Sequence, residues 1–149
     1  MTALQSSLDV DSPSVQSHLT MLQGVISRMA SNSASSKTWC VSLVSALAVV
    51  VAQSGQSRLL LIAALPIVLF GALDAYYLGL EKAFRRAYDE FVRKLHNGSA
   101  VVDDAFTLTP AIEVRALLFE TVTAACSFSV WPFYTGLGGI LWLLGQRLP

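Results

Sequence analysis

Charge is scarce in this sequence. Of 149 residues, 13% are Asp, Glu, Lys or Arg and 54% are hydrophobic, where a soluble domain carries about 25% charged residues. Ten basic and ten acidic side chains cancel, which leaves no basic field and excludes a nucleic-acid partner. Cysteine is rare too. Cys40 and Cys126 both fall in or beside apolar runs, with no metal-ligand spacing to either histidine, so free thiols are expected rather than a disulfide or metal site. There is no Gly-rich phosphate loop, no paired Cys/His set and no HExxH. The sequence therefore predicts no cofactor, no metal and no catalytic residues. His18 and His96 are expected on exposed parts of helices. Residues 1–13 lack the basic and apolar regions of a signal peptide and read as a polar tail, with Ser12 and Pro13 starting a helix.

What is abundant is apolar sequence in long runs. Val15, Leu19, Leu22, Ile26, Met29, Ser33, Ser36, Cys40, Leu43, Leu47 and Val50 follow 4,3,4,3 spacing, a heptad seam on one side of a single helix. A helix over 14–53 is roughly 60 Å long at about 1.5 Å per residue, about twice the hydrocarbon thickness of a bilayer. Arg28 and Lys37 decide which half stays outside. The uncharged run Thr38–Ser57 is long enough to span.

A second helix is expected over 58–97. Leu59–Leu80 carries one charge, Asp74, and one proline, Pro66. Past Glu81, Leu80, Phe84, Tyr88, Phe91 and Leu95 continue an apolar stripe. Glu81/Arg85, Arg86/Glu90 and Glu90/Lys94 offer i,i+4 pairs on the other side. Asn97-Gly98 ends the helix. With a turn near Gly55, the two helices form an antiparallel hairpin whose charged halves make a stalk. Arg28, Lys37, Lys82, Arg85, Arg86, Arg93 and Lys94 lie at the stalk side and only Arg58 near the turn. The positive-inside rule places the stalk and N-terminus in the cytoplasm of a bacterial inner membrane.

Two polar features interrupt the apolar halves. The run Ala30–Ser36 keeps the seam in register. Asn32, Ser33, Ser36 and Cys40 would either line a constriction between copies or pack closely against the second helix. Asp74 would either form a proton or cation site with Glu81 or pair with Lys37 or Arg28.

Residues 98–109 form an acidic loop with Asp103 and Asp104, and no neighbouring His, Glu or Cys suggests a metal. Thr109-Pro110, with Glu113 in the first turn, starts an amphipathic helix. From Thr121 to Gln146 there is no charge. A third membrane helix over Ser129–Leu144 is expected because that run exceeds the length needed to cross. A re-entrant or surface hairpin broken at Pro132 is the alternative. The expected fold is thus an all-α integral membrane protein: a long hairpin extending into the cytoplasm plus a third membrane helix.

The segments His18–Ala30 (HLTMLQGVISRMA) and Leu73–Glu81 (LDAYYLGLE) resemble small bacterial membrane proteins of antiphage defence islands. The layout of residues 15–95 resembles the two-helix membrane effectors called SLATT. The resemblance implies a membrane-disrupting or channel-forming effector, or an accessory subunit, with sensing left to a cytosolic defence-system partner. It assigns no catalytic residue, and the third span departs from the two-helix pattern.

Three functions fit. A homo-oligomeric pore is the first expectation and requires an intermolecular seam, with Asn32, Ser33 and Ser36 facing a lumen. A scaffold docking a cytosolic partner requires the seam buried within one chain and Phe84, Tyr88 and Phe91 exposed. A small transporter would centre on Asp74.

Overall fold

In the computed structural model, which describes residue 9 and residues 11–108 and 114–147, the described residues form helices and turns with no strand. The first helix, α1, runs Pro13–Ser54. Ser12 caps it by accepting from the Val15 N–H (3.4 Å), and Pro13 occupies the first turn, where its missing N–H costs nothing. Gly55 ends it in the left-handed region (φ 66°), its N–H returning to the Val51 carbonyl at 3.1 Å. A 3-10 turn, Ser57–Leu59, leads into α2, Leu60–His96. Pro66 lies inside α2 without ending it. Gly98 (φ 65°) lets the chain turn away at the far end.

The two helices pack antiparallel. On α1 the seam residues Val15, Leu22, Ser33, Ser36 and Cys40 are all buried. Beyond Cys40 the buried positions move to Val44 and Val51, leaving Leu43 and Val50 outward. An untwisted helix drifts against a 3.5-residue repeat in this way. On α2 the buried positions include the small residues Ala63, Ala75, Gly79 and Ala83, which let neighbouring helices approach closely.

The chain then lays a third column along α2. Helix α3, Val114–Ala125, and helix α4, Trp131–Gly145, both run antiparallel to α2. Thr121 lies over Gly79, Tyr134 over Gly71 and Gly145 against Leu60. A third membrane helix is not supported. The 26 uncharged residues are divided by a turn in which the Ser127 carbonyl accepts from the N–H groups of Val130 and Trp131. Pro132 opens α4 rather than interrupting a span. The 15 residues of α4 reach about 22 Å, short of the roughly 30 Å of a bilayer core. The expected start at Thr109-Pro110 and Glu113 lies outside the described residues.

Two helices, Pro13–Ser54 and Leu60–His96, are long and apolar enough to cross a membrane, and their most apolar stretches are only 22% and 17% buried in the chain.

Candidate functional site

Where the apolar halves of α1 and α2 meet their charged halves, polar groups converge on Asp74, which is fully buried. Ser33 Oγ donates to Asp74 Oδ1. Lys37, one turn along α1, brings Nζ to 2.6 Å from Oδ2 and also reaches Ser33 Oγ at 3.4 Å. The ammonium meets Oδ2 off the hydrogen-bond direction, so that oxygen has a charge partner but no directed donor. From α4, the Tyr134 hydroxyl donates to the Phe70 carbonyl (3.2 Å), one turn from Asp74. Three helices thus close around one carboxylate. Ser33 and Lys37 come from the middle of α1 and Asp74 from the middle of α2, so the contact ties the two helices together across the hairpin. The ammonium occupies the position a bound cation would need.

The other candidates lie as follows. Arg28 is exposed and away from Asp74. Asn32 is half-buried, and its carbonyl accepts from Ser36 Oγ at 3.0 Å. Ser33 and Ser36 are 7% and 3% exposed; both turn toward α2 of the same chain. Cys40 is a buried free thiol directed at the Pro66 carbonyl (3.8 Å). Phe84 and Tyr88 are half-buried, and the Tyr88 hydroxyl accepts from Gln23 Nε2 at 3.3 Å. Phe91 is buried. The docking stripe drawn from sequence is therefore turned inward at Phe91. An open groove of about 450 Å³ lies beside Tyr88, lined by Gln23, Ile26, Ser27, Arg85 and Asp89. Among the expected helix-surface pairs, Glu81–Arg85 forms at 2.8 Å. Arg86 and Lys94 instead reach Glu120 and Asp104, both at 2.7 Å.

A second polar centre lies at the far end of the stalk. His18, expected on the surface, is 2% exposed. The loop after α2 folds back over it, so that the Phe106 N–H donates to His18 Nδ1 at 2.9 Å. The Phe91 ring packs edge-on against the imidazole at 4.4 Å. Burial pushes the His18 pKa down, against the opposing pull of the Asp104 carboxylate. The hydrogen bond from Lys94 holds the Asp104 pKa below the usual carboxylate range, and the same bond raises that of Lys94. Ala100 of the loop completes a small core with Val15, Phe91 and Leu95.

Tyr134, His18 and Phe106 had no sequence signal, because each acts across 64 to 88 residues of chain. Among the described residues, no three His, Cys, Asp or Glu side chains could hold a metal ion together. No protein-family model, no curated protein and no solved structure matches this chain.

Proposed function

We propose that this chain is a membrane-inserted, non-catalytic scaffold whose hairpin crosses the bilayer and holds a helical stalk in the cytoplasm for a protein partner. The inverted polarity of the apolar stretches carries this reading. Ser33, Ser36 and Asp74 face inward and are buried, while Val49, Val50, Leu61, Leu65, Val68 and Leu69 face outward, 55 to 79% exposed. In water that arrangement forfeits the hydrophobic driving force; in lipid the outward belt is solvated and the polar groups satisfy one another. Trp39 and Tyr76, exposed at the same level as the ion pair, suit an interfacial belt. The basic residues clustered on the stalk support a cytoplasmic stalk on a bacterial plasma membrane.

The scaffold is preferred over a pore because Ser33 and Ser36 turn to α2 of their own chain. A lumen lined by them requires the hairpin to open and the Asp74–Lys37 pair to break. The partner-docking surface is then the groove beside Tyr88. The resemblance to SLATT effectors supports a cytosolic defence-system protein as the partner. A second reading, a membrane-perturbing homo-oligomer, is favoured by the outward apolar face of α3 and α4. There, and in the turn between them, Phe119, Val122, Phe128, Trp131 and Ile140 are 52 to 86% exposed, and a second copy or lipid would cover them.

The test is a sodium carbonate wash of expressing cells, followed by mass determination and planar-bilayer recording of the purified protein. The scaffold predicts retention in the membrane pellet, one or two copies and no conductance. Release into the supernatant overturns membrane insertion. A conducting ring of four or more copies, occluded by Ser33→Leu with Ser36→Leu, overturns the scaffold in favour of the pore.

A further inference from the structure

The contact between the loop and His18 has a chemistry of its own, independent of membrane insertion. Because Nδ1 accepts the Phe106 N–H, the neutral ring carries its proton on Nε2. A second proton can go only onto Nδ1. That turns the acceptor into a donor facing another donor, and it places a positive charge beside the Phe91 ring in a buried site. We propose that the loop 97–108 is a proton-sensitive latch, held on the end of the helical pair by the Phe106–His18 hydrogen bond and released when Nδ1 is protonated.

The surroundings decide the direction. From the loop, Asp104 faces the ring and favours its charged form. That carboxylate is already engaged by Lys94 Nζ of α2 at 2.7 Å and by the Val101 N–H at 3.1 Å, so the imidazolium gains it only by competing with both. Lys94, behind the carboxylate, opposes a second positive charge. Along α1 the side chains one turn from His18 are Ser14, Val15, Met21 and Leu22, none of which carries charge. Burial outweighs Asp104, and the closed state prefers the neutral ring. A depressed pKa stabilises the closed state above the ordinary histidine value of about 6.5 and withdraws that stabilisation as pH falls below it. Phe106 itself sits at φ 66°, a left-handed conformation that a bulky residue keeps only while its contacts hold it. Without the Phe106 contact, the loop is tied to the helices through the Lys94–Asp104 pair and the packing of Ala100. Its opening lifts Ala100 from Val15, Phe91 and Leu95 and uncovers Phe91, the residue the sequence pattern assigned to docking.

Hydrogen–deuterium exchange of the full chain in lipid nanodiscs tests the latch. Peptides covering 98–108 are followed at pH 7.5 and 5.5, as protection factors corrected for intrinsic exchange. Wild type should lose protection at pH 5.5, by at most about tenfold, the limit set one unit below the ordinary histidine pKa. His18→Asn keeps an acceptor near the Nδ1 position without a titrating ring and should keep the loop closed at both values. His18→Phe removes the acceptor and should leave it open at both. Asp104→Asn should retain the pH step, which separates histidine from carboxylate titration. Equal protection of wild type at the two pH values overturns the latch, as does an unchanged step in His18→Asn. Ring nitrogen chemical shifts give a reading that needs no variant: a proton on Nδ1 at pH 7.5 also overturns it.

Discussion

Removing Lys37 leaves a fully buried carboxylate with a single hydroxyl donor, Ser33. Removing Asp74 leaves an ammonium whose side chain is 23% exposed on a flexible stem. The stem can carry the charge to water, whereas the carboxylate has no such route. Lys37→Met should therefore destabilise the protein by about 3–5 kcal/mol, the cost of stranding a buried charge. Asp74→Asn should cost only about 1–2 kcal/mol, since the amide still accepts from Ser33. The double variant Lys37→Met with Asp74→Leu should recover most of the loss, because an apolar pair needs no partner. Detergent-denaturation midpoints check this, and an Asp74→Asn loss equal to or above that of Lys37→Met defeats it. This site was half legible in the sequence. One acid in a long apolar run must find a cation, and hairpin register brought two cations into range. Which one wins is a matter of helix rotation: Lys37 shares a face with Ser33, and Arg28 does not. His18 was illegible because its burial depends on a loop 88 residues away.

At the scale of elements, Gly79 is a point where α3 approaches α2 closely. A Cβ there would stand 3.3 Å from the Thr121 backbone nitrogen and from its Oγ1. A backbone nitrogen cannot swing aside, so Gly79→Leu should force α3 away at a cost of about 1–3 kcal/mol. The Arg86–Glu120 pair, with Arg86 59% exposed, is worth under about 1 kcal/mol and cannot hold α3 alone. Amides of 117–125 should exchange faster in Gly79→Leu, while those of 15–36 in α1 stay protected. Equal loosening of α1 would show that α3 is integral to the hairpin rather than docked on it. The long helices themselves were readable: uncharged length, a 3.5-residue repeat and caps at Ser12 and Gly55 all point one way. The repeat alone could not say whether the seam closes within a chain, since the same positions serve either partner. Length without charge does not establish continuity, which is why the division of α3 from α4 departs from the expected single span. Pro132 was the available signal, as proline suits a first turn better than an interior.

For the whole molecule, the distribution of charge along the hairpin bears on orientation more than on stability. The turn end carries Arg58, and the stalk end carries Arg28, Lys37, Lys82, Arg85, Arg86, Arg93 and Lys94. Lys37 is tied into the buried pair, and Arg85, Arg86 and Lys94 pair with carboxylates at the surface of the stalk; under the proposed topology this cluster is what the positive-inside rule acts on. Gln53 and Gln56 are exposed beside the turn and outside the packed interface. Gln53→Lys, Ser54→Lys and Gln56→Lys together should leave folding in detergent nearly unchanged, since exposed substitutions usually stay within about 0.5 kcal/mol. They should nonetheless frustrate insertion, because three added cations must now cross or be retained against the stalk's own bias. Cysteines placed at Ala52 and at Asn97, one per molecule in a Cys126→Ser background, report the result through a membrane-impermeant thiol reagent. In the parent protein the reagent should reach residue 52 from outside intact cells and residue 97 only after lysis. With the three lysines, some or all molecules should reverse that pattern or remain uninserted. An unaltered pattern would mean that the helical stalk, too bulky and charged to translocate, sets orientation by itself, and that the charge bias of the turn is a consequence of topology rather than its cause.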